Sequence, residues 1–153
     1  MSEREDLLRP SLQASDSGQK AIYSTTAGYL TAFFGGPFAA IGMGILNSWR
    51  LGRIRADALI IVAAIAAALA VFSFLLRPEL FGQPELDVTT RNIRLVTRLL
   101  ALALFGAFWL LHKRYYRGMQ LLALAPPNPW PAAIACGSID LLLTMALLAW
   151  FSA

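Results

Sequence analysis

The chain has 153 residues, of which 58% are hydrophobic and 14% are charged, with a formal net charge of +4 at pH 7. Soluble domains carry about 25% charged residues, so this composition argues against an ordinary soluble protein. The single cysteine, Cys136, excludes an internal disulfide, and the single His112 cannot supply a histidine cluster for a metal. The basic residues lie beside apolar runs, where they anchor to lipid headgroups, so the charge predicts no nucleic-acid binding.

Residues 1–22 are polar and of mixed charge, which predicts a flexible tail and no signal peptide. Residues 23–153 are predicted to form one membrane domain, because they contain four apolar runs of bilayer-spanning length. The expected fold class is all-α: an integral membrane protein with four transmembrane helices and both termini on one side. Three spans are the alternative. The four predicted spans are Thr25–Leu46, Leu59–Leu76, Leu95–Leu111 and Ala132–Phe151.

The first predicted span carries small residues at every fourth position. Such a stripe lets the backbone of another helix come close, which predicts packing against the second span or against another subunit. Glycine and proline at the middle of the span predict a kinked or broken first helix. Simple kinked packing and a transporter-like broken helix that exposes backbone dipoles both fit. The stripe is Gly28, Ala32, Gly36, Ala40 and Gly44, and the break is Gly35, Gly36 and Pro37.

Two basic clusters flank the third span. Arg91 and Arg94 precede it on the same helix face as Arg98, and the predicted third loop opens with a second cluster of Lys113, Arg114 and Arg117. Either cluster could contact anionic lipid headgroups or acidic groups of a partner, and ordinary interfacial anchorage is the alternative. In a four-span arrangement the two sides of the membrane carry nearly equal numbers of Lys and Arg residues. The positive-inside rule therefore favours cytoplasmic first and third loops only slightly.

Trp130 and Trp150 bracket the fourth span at the spacing of two interfacial aromatic belts. Asp140 lies midway between them, near the bilayer centre, where a carboxylate costs about 2.5–3.5 kcal/mol on insertion scales. Two interpretations are open: a proton, ion or ligand site, or a hydrogen-bonded aspartate that fixes helix packing. Arg98 is the predicted partner of Asp140, because its depth in the third span puts the carboxylate within reach of its long side chain.

Three short motifs resemble a group of small, largely uncharacterised bacterial inner-membrane proteins. They are Phe34-Gly35-Gly36-Pro37, Asn47 with Leu51-Gly52, and Tyr116-Arg117-Gly118. Chains of that group tend to read Phe-Leu-Gly-Gly/Ser-Pro, then Asn-x-x-x-Leu-Gly, then Tyr-Gln-Gly. Here Arg117 replaces the usual glutamine, and a proline-rich linker replaces a glycine-containing one. The resemblance covers the chain from about Tyr23 onward and implies a multi-pass protein of the bacterial inner membrane, without any catalytic residue.

The sequence has no nucleophile elbow, no glycine-rich phosphate loop, no zinc-protease motif and no paired carboxylates within a span. We therefore expect no enzyme activity, no cofactor and no metal site. The expected function is that of a non-enzymatic accessory or assembly subunit of a bacterial membrane complex. Its expected partners are the lipid bilayer and either other membrane subunits or further copies of the chain. The alternative is a small oligomeric ion- or proton-coupled transporter or channel that uses Asp140.

Overall fold

A computed structural model describes residues 21–77, 90–121 and 125–152, which leaves nearly all of the predicted tail outside the described part. The described residues form five helices: α1 (Thr25–Gly35), α2 (Pro37–Arg50), α3 (Ile54–Leu76), α4 (Thr90–Leu121) and α5 (Trp130–Ser152). Three stretches are long and apolar enough to cross a membrane, namely Ile54–Leu76, Asn92–Gln120 and Trp130–Trp150. The all-helical class with candidate membrane spans is confirmed, and the count of four spans is not.

The first predicted span is a hairpin of two short helices. The backbone N–H of Tyr23, just before α1, donates to Asn47 Oδ1 near the end of α2 at 2.9 Å. Arg50 in the last turn of α2 donates to the carbonyl of Ala21 at 3.0 Å. The two ends of the hairpin therefore meet, and the prediction that Thr25–Leu46, with its kink or break, crosses the membrane as one span is not confirmed. At about 1.5 Å per residue neither arm reaches the roughly 30 Å of a hydrocarbon core.

Gly36 is the point at which the chain turns back. Its φ of 97° lies in the region that favours glycine, and Pro37 then occupies the first position of α2, where its missing N–H costs nothing. The Gly36 N–H still donates to Ala32 O at 3.1 Å, and Ala40 N–H donates to Gly36 O at 3.0 Å. One residue thus ends α1 and begins α2, which confirms the predicted break.

The long helices place the hairpin base at one end of the bundle and the tip inside it. Ile22 N–H reaches Met119 Sδ, near the end of α4, at 3.4 Å, and Tyr23 packs with Cys136 in the first turns of α5. α3 therefore leaves the base, α4 returns to it and α5 leaves again. Residues 21 and 152 consequently lie at opposite ends of the described bundle. The predicted placement of both termini on one side concerns residues 1 and 153, which lie outside the described residues.

Helix α4 is longer than the third predicted span. It begins at Thr90 and continues to Leu121, so Lys113, Arg114 and Arg117 belong to a helix and not to a loop. The prediction of a loop there is wrong because long basic side chains are good helix formers and the first proline, Pro126, comes later.

The small-residue stripe divides between the two arms of the hairpin. A Cβ on Gly28 or Gly44 would meet the ring of Phe105 or Phe108 of α4, at 3.0 and 2.6 Å. Ala32 and Ala40 are buried in a core cluster that also contains Ala64 and Ala68 of α3. The stripe therefore packs on α4 as well as on the second predicted span, because the turn at Gly36 puts its two halves on different helices.

Candidate functional site

Asp140 of α5 caps the tip of the hairpin. Its Oδ1 accepts the backbone N–H of Phe38 at 2.8 Å and that of Ala39 at 3.2 Å. These are the second and third residues of α2, whose N–H groups an N-cap side chain normally satisfies. Gly36 has no side chain to do so, and Asp140 therefore supplies the cap from another helix.

Arg98, the predicted partner of Asp140, lies elsewhere. Its guanidinium carbon is 5.4 Å from the centre of the Phe33 ring, and its side chain is otherwise exposed. The described hydrogen bonds of Asp140 go to backbone amides, so the prediction of an Arg98–Asp140 pair is wrong. One oxygen of the carboxyl group therefore faces the positive end of α2, which a helix-by-helix interpretation of the sequence does not anticipate.

The hairpin base is held by a polar network that sequence reasoning missed. Asn47 accepts the Tyr23 N–H and donates through Nδ2 to the Tyr116 hydroxyl at 3.1 Å. Arg50 donates to the Tyr23 hydroxyl at 3.2 Å and stacks on its ring at 4.5 Å. The first residues of the hairpin, the end of α2 and the end of α4 are thereby joined.

A second part of the base is a buried cluster of Ser48, Asp57 and His112, each 1% exposed or less. His112 Nε2 lies 3.2 Å from Ser48 Oγ and 3.3 Å from Asp57 Oδ2. Both contacts use the same ring nitrogen, whereas a catalytic triad places its serine and its aspartate on different nitrogens. Nδ1 has no hydrogen-bond partner among the described residues. The geometry is therefore that of a packed polar contact between α2, α3 and α4.

Arg53 closes this cluster at the turn between α2 and α3. It donates to the Tyr115 hydroxyl and lies 3.7 Å from Asp57 Oδ1. The hydrogen bond with Tyr115, together with the nearby Asp57, raises the pKa of Arg53. Arg53 thus remains a cation beside a buried acid, which lowers the cost of burying that acid.

A groove of about 600 Å³ runs between α1 and the first half of α5. Its walls are largely apolar, with Phe34, Trp130 and Leu141 among them, and Asp140 lies in the same lining. Trp130 is 70% exposed at one end of α5 and Trp150 is 78% exposed at the other, an arrangement suited to two interfacial belts. Because the lining includes both Trp130, at the start of α5, and Asp140, at the hairpin tip, the groove passes from the hairpin base towards its tip.

The outer face of α3 is a second surface with a regular pattern. α3 packs mainly on α2, through Ala64, Ala68 and Phe72, and touches α4 and α5 only weakly. The opposite face carries residues at alternating spacings of four and three, all exposed except the half-buried Ser73. We call this face the α3 seam: Leu59, Ala63, Ala66, Ala70 and Ser73.

The basic residues that were predicted to contact lipid headgroups or a partner have exposed side chains wherever the structure describes them. Arg94, Lys113, Arg114 and Arg117 are exposed, and the side chain of Arg91 lies outside the described part. Within the described ranges no group of three or more His, Cys, Asp or Glu side chains could hold a metal ion. These residues therefore supply charge at the two ends of α4 without forming an enclosed site.

The described residues thus define an all-helical protein with three candidate membrane-spanning helices and a capped internal hairpin. Comparison with models of protein families, with curated proteins and with solved structures gives no match. Its function has to be argued from its own geometry.

Proposed function

We propose that the chain is a non-enzymatic subunit of a membrane complex in the bacterial inner membrane, with three transmembrane helices and one re-entrant hairpin. In this arrangement α3, α4 and α5 cross the bilayer, and α1 and α2 enter from one side and return to it. Irregular backbone at membrane depth is tolerated only where the protein satisfies it. The Asp140 cap at Gly36–Ala39 meets that requirement, which supports the re-entrant arrangement.

In the re-entrant arrangement the two sides of the membrane no longer carry nearly equal numbers of Lys and Arg residues. The proposed topology assigns the tail, the α2–α3 turn and the end of α4 to the side of the hairpin base. Together they hold nine of the 13 Lys and Arg residues, and the other four lie towards the opposite end. The positive-inside rule then places the base in the cytoplasm. The nine are Arg4, Arg9, Lys20, Arg50, Arg53, Arg55, Lys113, Arg114 and Arg117.

Labelling of single cysteines tests this topology. In a Cys136→Ser background, cysteines at positions 21, 55 and 128 are expected to react from the cytoplasmic side, and one at position 83 from the other side. Four spans would instead put positions 21 and 83 together. Reaction of those two from the same side would therefore contradict the re-entrant hairpin.

The observation that carries the subunit role is the α3 seam. Alternating spacings of four and three keep residues on one line of a packed helix pair, and small side chains on that line permit close backbone approach. A helix face that meets only lipid has no need of small residues. We therefore propose that a transmembrane helix of a partner subunit packs on this seam.

Purification in mild detergent tests the subunit role. The wild-type protein is expected to retain a defined partner, and Ala66→Leu with Ala70→Leu to release it without unfolding the chain. Ala103 and Ala107 are exposed alanines of α4, also four residues apart, and the same leucine changes there give a matched control. A monomer without a partner, or an assembly of this chain alone, would contradict the accessory-subunit role.

One observation favours a second candidate, an oligomeric ion- or proton-coupled transporter or channel. A helix terminus and a carboxyl group meet inside the bundle at Asp140, as they do at the broken helices of transporters. Flux into vesicles that contain the protein and a pH-sensitive dye tests this role. Proton or ion flux that is lost in Asp140→Asn would favour transport over the subunit role, whereas absence of flux would leave Asp140 as a structural cap.

A further inference from the structure

The groove between α1 and α5 has the size and composition of a small-molecule site. Its volume of about 600 Å³ falls in the range of roughly 300–1,000 Å³ that ligand pockets occupy. Apolar residues form most of its wall, and the polar side chains in it are Thr31, Asp140 and Thr144. Such a lining suits an apolar molecule with one polar group.

One acceptor atom in this lining, Asp140 Oδ2, has no partner among the described residues. Asp140 is 8% exposed, and its Oδ1 takes both amide hydrogen bonds while no described residue bonds to Oδ2. Thr31 is 6% exposed, and its Oγ1 is buried without a partner among the described residues. A helical threonine ordinarily bonds to its own helix, as Thr97 does by donating to Ile93 O at 2.9 Å. The Thr31 hydroxyl is closed off from solvent, so Asp140 Oδ2 is the acceptor that the groove offers to a ligand.

We propose that this groove binds an apolar molecule that carries one ammonium group, with the ammonium bonded to Asp140 Oδ2. Asp140 is the one ionisable residue in the lining, so an ammonium supplies the opposite charge that a buried carboxylate requires. An ammonium has three hydrogen-bond donors and no acceptor, which suits a carboxylate oxygen without a partner. The site lies apart from the α3 seam, and it does not depend on the subunit role.

Calorimetric titration of the detergent-solubilised full chain with 1-adamantylmethylamine tests the proposal, with 1-adamantanemethanol as the neutral match. We expect saturable binding of the amine at least tenfold tighter than that of the alcohol. Asp140→Asn keeps an acceptor for the Phe38 and Ala39 amides but loses the charge. It is expected to weaken amine binding at least tenfold and to leave alcohol binding unchanged.

Two glycine variants test whether the amine binds in the groove even if Asp140→Asn fails to fold. An added Cβ meets nothing within 4 Å at Gly137 or at Gly106, but only Gly137 lines the groove. Gly137→Leu is expected to abolish amine binding, and Gly106→Leu to retain it. Equal affinity for amine and alcohol, absence of saturable amine binding, or amine binding that survives Gly137→Leu would each overturn the proposal.

Discussion

The hairpin is held in two different ways at its two ends. At the tip one carboxyl oxygen, Asp140 Oδ1, accepts two backbone amides of α2. At the base several side chains share the work, among them Asn47, Arg50, Ser48 and His112. The tip therefore depends on a single residue, and the base on a network.

The difference follows from where each end lies. In the proposed re-entrant arrangement the tip lies inside the bilayer, where backbone N–H groups have no water to bond to, so an unmade bond there costs its full desolvation penalty. At the base, the half-buried Arg50 and Tyr116 lie where water can replace a lost hydrogen-bond partner, in contrast to the buried Ser48, Asp57 and His112. A substitution at the tip should therefore remove much of the stability, and one at the half-buried part of the base only a small part.

The largest loss of stability is expected for Asp140→Leu, which removes the cap at the tip. Leucine leaves the Phe38 and Ala39 amides without a partner, and each costs about 1–3 kcal/mol, so we expect a loss of about 3 kcal/mol or more. Asp140→Asn retains a carbonyl acceptor and should stay within about 1 kcal/mol of wild type. Reversible unfolding by dodecyl sulfate in mixed micelles measures both. Equal stabilities for the two variants would show that the cap contributes little.

Substitution of Gly36 is the next largest expected effect. An alanine there must adopt a φ of 97°, and its Cβ would lie 2.7 Å from Asp140 Oδ2. Left-handed backbone alone costs about 1–2 kcal/mol, so we expect a loss of about 2 kcal/mol. Gly106→Ala is the control, because its Cβ meets nothing and alanine favours a helix by about 1 kcal/mol. Similar unfolding curves for the two variants would argue against a strained turn at the tip.

The sequence predicted the elements of the tip but not its geometry. Gly35-Gly36-Pro37 indicated a break, and the position of Asp140 between two tryptophans indicated a group at mid-depth. A glycine–proline signal states that a helix stops and not which way the chain continues. The apolar run Thr25–Leu46 also meets the length of a span, so the return of the chain could not be inferred from it.

The base could not be predicted, because its members are far apart along the chain and each is ordinary by itself. Asp57 and His112 are 55 residues apart and lie just outside the predicted spans Leu59–Leu76 and Leu95–Leu111, yet both are buried in helices. The sequence does contain a usable signal, because single polar residues lie close to the ends of three predicted spans. They are Asn47, Asp57 and His112. Asn47 and Tyr116, which the family resemblance singled out, are hydrogen-bonded to each other.

The smallest losses of stability are expected for substitutions at the hairpin base, and they test whether several hydrogen bonds hold it. Asn47→Ala leaves the Tyr23 N–H without its partner and should cost about 1–2 kcal/mol. Tyr116→Phe removes only the hydroxyl that accepts from Asn47 Nδ2, at a place where water can take over, and should cost about 0.5–1 kcal/mol. Because both changes remove the same Asn47–Tyr116 bond, the double variant should cost less than the sum of the two. The same mixed-micelle unfolding measures this cycle. Strict additivity would mean that the bond contributes nothing, and a Tyr116→Phe loss as large as that of Asp140→Leu would mean that the base, like the tip, depends on one bond.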